Sequence, residues 1–399
     1  MFEFKESISL QDFDNFASNH EMSSINQSIY WPKIKNNWKP YYTGLYQDNQ
    51  LVGVALVLIR KVLGFKFAYI PRGPLMDYEN REIVSQMMQG LTEFAKKNRY
   101  LFVRMDPNIN YRIFKLADKE TAPILESGKT AIKNLLQAKT KHLGFPTKMS
   151  DGFQPRFVAI THHTDDYMVD LPKSTRKSIR DADKLGVKTR LATVDEVDKF
   201  VSVLNKTESR KNIQLRSKPY FELMLNTFGD KAILMLAEID LKANIQEFES
   251  ELKDLLQVLP EKPPKKAAQL QQRINALQRN VDELTPYVQR GEEKKVLSGG
   301  LSILYGNTIE HIYAGFDIEF KRYRPQYKLT VARMQYGFER GLKYSNLGGI
   351  EGTLDDGLTE FKSNFNPYIH EYIGEFDIPV SPLYPLFRLA WKIREKRRQ

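Results

Sequence analysis

Tyr344-Ser-Asn-Leu-Gly-Gly-Ile-Glu-Gly-Thr-Leu-Asp-Asp-Gly-Leu-Thr-Glu-Phe361-Lys362-Ser-Asn-Phe365 holds a strand, a glycine pair, a turn and a helical segment in succession. Residues 343–347 read as a short buried strand. Gly348-Gly349 removes two side chains at its end, which lets something come close to the backbone. Asp355-Asp356-Gly357 is a turn. Phe361-Lys362 follows on a short helical segment, an aromatic anchor beside one cation. Upstream, residues 329–341 space their apolar side chains as an amphipathic helix that stops on a glycine. In α/β folds ligands sit outside the carboxyl ends of strands, so Lys362 is expected to point toward such a crevice.

The same order occurs twice along the chain. Residues 1–150 read as helices over 10–17 and 28–36, strands over 42–46, 51–60 and 65–70 with Gly64 at a turn, a helix over 81–98, and a strand over 101–106. Residues 151–240 and 296–380 repeat it, with helices over 195–206 and 220–228 and strands over 232–239, 297–305 and 308–315, ahead of the opening stretch. Helix, three antiparallel strands, helix and strand is the order of the GNAT acyltransferase fold. The expected class is therefore α/β (α+β), with two GNAT-like units and no evident sequence identity between them.

The second unit is interrupted at 241–295. Leu241, Ile245, Phe248, Leu252, Leu255 and Leu259 alternate steps of four and three, and Leu270, Ile274, Leu277, Val281, Leu284 and Val288 do the same after the proline-rich turn 260–264. This pattern predicts an antiparallel coiled-coil hairpin. The hairpin carries 10 basic and 9 acidic residues, so its charge gives no reason to read it as a nucleic-acid prong; a steric or docking role is expected. The tail, 381–399, mixes Tyr384, Phe387 and Trp391 with Arg388, Lys392, Arg394, Lys396, Arg397 and Arg398. That mixture suits an anionic membrane surface, and equally an apolar face packed on the first unit.

An apolar fraction of 41% over 399 residues implies packed cores. The absence of cysteine excludes disulfides, thiolate metal sites and a thiol nucleophile. Glu3 and Glu6 interrupt any leader-like apolar run, and no run nears the ~18 residues of a spanning helix, so a cytoplasmic protein is expected. Sixty basic against 49 acidic residues give a net charge of +11, which favours polyanionic partners. Much of that excess lies on one helix between Pro172 and Gly186. Lys173, Lys177, Arg180 and Lys184 share a narrow face there, with Arg176 at its margin, a spacing able to touch several phosphates.

Searching for catalytic motifs returns no P-loop, no GxSxG elbow and no HExxH. An acyl-CoA enzyme of this fold needs a glycine-rich loop at a helix N-terminus. The equivalent segment, 321–328, reads Lys-Arg-Tyr-Arg-Pro-Gln-Tyr-Lys; it keeps cations and has no glycine. An acyl-transfer scaffold without that loop fits a donor that is already an activated ester. An acyl-CoA N-acyltransferase and a non-catalytic tRNA- or lipid-binding adaptor are the alternatives.

Several stretches together resemble the Fem family of aminoacyl-tRNA-dependent peptidoglycan transferases, nearest its streptococcal branch. They are 27–38 (QSIYWPKIKNNW), 68–75 (AYIPRGPL), Met105-Asp106-Pro107, 171–186 and NLGGIEG through EFDIPV over 346–380. The resemblance implies transfer of an amino acid, alanine or serine favoured and glycine the alternative, from aminoacyl-tRNA. The acceptor would be the side-chain amine of the third stem-peptide residue of a lipid-linked peptidoglycan precursor. It implies acceptor-binding roles for Lys35, Arg216, Tyr220 and Tyr313, and catalytic or tRNA-end roles for Phe361 and Lys362. Asp106 would be the general base. No cofactor or metal is implied, and peripheral contact with the inner membrane face is expected because the acceptor is lipid-linked.

Overall fold

The computed structural model describes residues 1–62, 64–211 and 216–396. They form two mixed sheets. The first runs, in spatial order, Phe2–Lys5, Lys39–Gln47, Gln50–Val62, Phe65–Ile70, Phe102–Met105, Phe376–Pro379, Lys141–His142, with Leu75–Met76 paired to Gln50–Val62. The second runs Lys188–Ala192, Ala232–Asp240, Lys294–Tyr305, Thr308–Phe316, Tyr344–Ile350, Phe157–His162, Tyr368–Tyr372, Asn110–Phe114. Each has one parallel pair: Phe65–Ile70 beside Phe102–Met105, and Thr308–Phe316 beside Tyr344–Ile350. A helix crosses over between the partners of each pair, Arg81–Lys97 in one and Pro325–Phe338 in the other. The repeated order in the sequence is thus a repeated architecture of two GNAT-like units.

Strand Gln50–Val62 shows why the first sheet forms. Its run from Gly53 to Ile59 is buried throughout, and its alternate side chains enter different cores. Ala55, Val57 and Ile59 join Val84, Met87 and Leu91 of helix Arg81–Lys97. Val54, Leu56 and Leu58 join Phe13 and Ala17 of helix Leu10–Asn19.

The two units exchange strands. Asn110–Phe114, from the first half, pairs with Tyr368–Tyr372 in the second sheet. Phe376–Pro379, from the second half, inserts in the first sheet between Phe102–Met105 and Lys141–His142. A buried fork fixes that insertion: Arg104 Nε and Nη2 donate to the two Asp377 oxygens at 2.8 and 2.9 Å, and Tyr384 donates to Asp377 at 2.8 Å. The units drawn at residues 150 and 380 are therefore laced together rather than joined end to end.

Two local expectations change. The helix expected over 28–36 is a 3-10 turn, Ile25–Gln27, and a single helical turn, Trp31–Ile34. The Gln27 side chain pins the segment instead, donating to Pro71 O and accepting from Leu56 N. Strand Tyr344–Ile350 runs through the glycine pair, with a register shift between Asn346 and Gly349, so Gly348-Gly349 forms an irregularity inside the strand and not its end.

The hairpin consists of helices Leu241–Val258 and Pro264–Gln289. Its root is continuous with the second unit. Leu241, Phe248, Leu277 and Leu284 share one core with Ile239, Phe320 and Tyr323. Helix Tyr384–Lys396 lays Tyr384, Phe387 and Trp391 against Phe67 and Phe102 of the first sheet, while Leu386 and Leu389 point outward, 67% and 60% exposed. Arg397 and Arg398, and the side chains of Lys392, Arg394 and Lys396, lie outside the described residues. No helix among the described residues is long and apolar enough to cross a membrane.

Candidate functional site

The parallel strands of the second sheet pair only over Thr308–Glu310 and Tyr344–Asn346. Beyond that point lies a cavity of about 720 Å³. Ile312, Ala314 and Gly315 form one wall, and Leu347 with Phe361 and Lys362 another. Helix Pro325–Phe338 supplies Gln326 in its first turn and then Leu329, Thr330 and Arg333, and the segment before it supplies Lys321 and Arg324. The segment read as the counterpart of a cofactor loop thus lies at this cavity.

Helix Gly357–Ser363 positions Lys362. Asp356 caps it, accepting from Leu358 N and Thr359 N at 2.8 and 3.2 Å. Phe361 is wedged edge-on against Tyr327 and Phe365, with centroids 5.7 and 5.3 Å away. Lys362 Nζ donates to Gly349 O at 2.7 Å. Gly348 has φ +87°, and a Cβ there would stand 3.4 Å from Nζ. That is ordinary contact, so it is the positive φ at Gly348, and not a lack of room beside the ammonium group, that favours glycine there.

A buried polar chain runs beside it. His311 Nε2 meets Ser345 Oγ at 2.8 Å and Nδ1 meets Ser302 Oγ at 3.3 Å. Arg333 Nη1 lies 3.4 Å from the same Ser302 Oγ and 3.5 Å from Tyr313 O. Burial, then the charges of Arg333 and Lys362, holds the His311 pKa well below the ordinary imidazole value, so its ring is neutral near pH 7.

The four acceptor candidates come together at the seam between the units. The Arg216 guanidinium lies 5.2 Å from the Tyr220 ring centroid, and Tyr220 and Tyr313 meet edge to face at 6.1 Å. Lys35 Nζ sits 5.1 Å from the Trp31 ring, and burial followed by the Arg216 charge lowers its pKa. Arg216 does not share the helical face of Tyr220. It precedes helix Lys218–Phe228 and reaches back over the ring. Tyr313 belongs to this cluster, while its strand neighbours Ile312 and Ala314 line the cavity.

Asp106 is not among the cavity residues. It follows the first sheet's strand Phe102–Met105, is 3% exposed, and accepts from Tyr69 OH at 2.6 Å and from the Arg72 backbone amide. Burial pushes its pKa up to about 6, against the pull of Arg72 and Tyr69. The Arg72 guanidinium stacks 4.8 Å from the Tyr372 ring and also counters Glu310, which burial raises to about 7. Arg72 thus acts on two carboxyls, one from each sheet.

The basic helix is Lys173–Lys184. Lys173, Lys177, Arg180 and Lys184 are exposed and Arg176 is half-buried. The opposite face ties the helix to the cavity wall, where Thr175 donates to Asn364 O at 2.6 Å, and at the exposed margin near its C-terminus Asp183 bonds Lys328. The helix thus packs by its buried face on the element that carries Lys362 and turns its cationic face to solvent.

Sequence reasoning missed Arg333, His311, Glu310 and Arg72. Arg333 had a signal, a lone cation inside the apolar stripe of an amphipathic helix. Gly299-Gly300 was its complement, a glycine pair within a strand: a Cβ on Gly300 would lie 2.5 Å from Arg333 Nη1. No group of metal-ligating side chains occurs among the described residues.

The FemAB family model matches residues 8–392. A Staphylococcus aureus protein named lipid II:glycine glycyltransferase is 28% identical over 412 aligned positions, covering 96% of this chain and 94% of the relative. Among solved structures, FemX matches with TM-score 0.79 at 27% identity, over 96% of this chain and 99% of that one. A tandem GNAT protein from clavulanic acid biosynthesis matches at 9% identity and TM-score 0.50, over 96% of this chain and 99% of that one, a likeness of fold alone.

Proposed function

The chain belongs to the FemAB family and is an aminoacyltransferase, and from that premise we propose that it moves a small amino acid from aminoacyl-tRNA to the stem-peptide amine of lipid II. The observation that carries this reading is the strand Thr308–Phe316. Its residues line a cation-bearing cavity on one face of the sheet and supply Tyr313 to a separate Lys–Arg–Tyr cluster on the other, beside the point where the parallel strands part, so two substrates can meet through that gap. The donor's ester end enters the cavity, while Lys173, Lys177, Arg180, Lys184 and Arg176 hold the tRNA backbone nearby. The acceptor lies against Lys35, Arg216, Tyr220 and Tyr313, with Arg216 suited to its diphosphate.

The reaction is aminolysis. The amine nitrogen bonds to the ester carbonyl carbon, the ester C–O bond breaks, and the amine's proton ends on the departing ribose oxygen. Lys362 stabilises the oxyanion or holds the tRNA end. No ATP or metal is needed, because the ester is already activated. Alanine, serine and glycine are the candidate residues. The test supplies purified protein with lipid-linked precursor in anionic vesicles and singly charged tRNAs one at a time, and weighs the product. One mass increment from one tRNA supports the reading, and no increment from any tRNA overturns it. Membrane contact through Leu386, Leu389 and Arg388 predicts that the protein sediments with those vesicles and not with neutral ones.

Arg216→Ala is expected to weaken precursor binding by about 1.5–3 kcal/mol, the loss of a charged hydrogen bond, with charged-tRNA affinity unchanged. Calorimetric titration of both substrates checks it, and an unaltered precursor affinity removes Arg216 from the acceptor site.

For Asp106 as the base, its carboxylate must be ionised. The transfer rate should then rise with pH through about 6 and level off above it. Asp106→Asn should lower the rate and abolish that limb. A limb that survives in Asp106→Asn assigns the titration to another group, of which Glu310 and Glu375, both raised to about 7 by burial, are the candidates.

A further inference from the structure

We propose that the floor of the cavity is a subsite for a phosphoryl group, anchored by Arg333; this deepens the donor-site reading above and rests on it. Arg333 is 3% exposed and lines the cavity. Its Nη1 makes only long contacts, 3.4 Å to Ser302 Oγ and 3.5 Å to Tyr313 O, and its buried Nε has no hydrogen-bond partner among the described residues. None of the ion pairs among those residues involves it. Burying a guanidinium without a counter-anion is unfavourable, and a folded protein tolerates that where a ligand supplies the missing charge. Gly300 keeps the space open, since any side chain there would collide with Nη1.

The surroundings specify the ligand. Lys321, Arg324 and Lys362 bring three further cations to the cavity against one carboxylate, Glu360. Gln326 Oε1, buried in the same lining, is a second polar atom without a partner. An acceptor-rich anion next to a hydroxyl or amino group satisfies both orphans, and a nucleotide carries that pair. The terminal nucleotide of the donor is favoured over the diphosphate of the acceptor, because Lys35 and Arg216 already gather at the acceptor cluster.

The test compares adenosine 5′-monophosphate with adenosine by calorimetry, alongside inorganic pyrophosphate and a soluble diphosphate-linked precursor analogue. The wild-type protein should bind the monophosphate at least about tenfold more tightly than adenosine, the scale of one charged hydrogen bond. Arg333→Gln should erase that advantage, and Arg333→Lys should keep part of it while losing the planar fork. Equal binding of adenosine and its monophosphate by wild type overturns the subsite, and needs no variant to be folded. An advantage that survives Arg333→Gln in a protein of wild-type melting temperature overturns it too. Loss of precursor-analogue binding in Arg333→Gln together with loss of the monophosphate advantage would overturn the donor assignment. The donor reading itself is scored separately: aminoacyl-tRNA turnover with KM unchanged in Arg333→Gln removes the subsite and leaves that reading standing.

Discussion

Lys362→Met should lower single-turnover transfer from aminoacyl-tRNA by about 10²–10³-fold, the usual loss when one preorganised oxyanion-stabilising group is removed. The ammonium is held in advance, bonded to Gly349 O at 2.7 Å on a helix whose first turn is capped by Asp356. Phe361 fixes the helix from its other side through Tyr327 and Phe365. Methionine keeps most of the stem's apolar volume, so melting should change little. Arginine keeps the charge but changes the shape and hydration of the head group that meets the strand carbonyl, and it should restore only part of the rate. Measuring tRNA affinity in parallel divides the two roles. A rate loss at unchanged affinity identifies oxyanion stabilisation, and a rate loss that follows affinity identifies binding of the tRNA end. Transfer at the wild-type rate would remove Lys362 from the chemistry.

The fate of individual residues shows what a sequence can and cannot display. Lys362 was legible because every device that positions it is local: the glycine pair, the Asp356 cap and the Phe361 anchor lie within 15 residues of it. The repeated order of strands and helices was legible for the same reason, since each crossover helix has its own 3.6-residue periodicity. Asn110–Phe114 and Phe376–Pro379 were not. They are five and four residues long, and nothing in so short a segment says which sheet it will join. The partner is selected by tertiary groups such as Arg104, whose charge is matched when Asp377, 273 residues away, arrives together with Glu375. The acceptor cluster lies between these cases. Its members were carried by family resemblance, and only folding brings Lys35 beside Arg216. Arg333 was visible as an anomaly, a cation in an apolar stripe, but its meaning depends on a strand glycine opposite it.

Replacing residues 241–295 by a short linker is expected to destroy the cooperative unfolding transition of the second unit, although the coiled-coil pattern by itself suggests a detachable arm. Leu241, Leu277 and Leu284 are 0% exposed and Phe248 is 2% exposed, all in the core that holds Ile239, Phe320 and Tyr323. Emptying one such site costs about 2–5 kcal/mol, so losing four exceeds much of the roughly 5–15 kcal/mol by which a domain is stable. Leu277→Ala alone should lower stability by about 2–5 kcal/mol in denaturant titration. The outer segment differs. Leu256 and Val258 are 48% and 38% exposed, and joining Phe248 to Ile274 through a short turn, without residues 249–273, should leave the melting temperature close to wild type. An excised chain that melts like wild type would instead show that the root carries no stability. The root also reaches the donor cavity. Arg322, between cavity residues Lys321 and Arg324, bonds Asn280 and Glu283 of the second arm helix. Trimming the outer arm should therefore leave transfer intact, whereas Asn280→Ala with Glu283→Ala should weaken donor binding by loosening the segment that supplies Lys321 and Arg324.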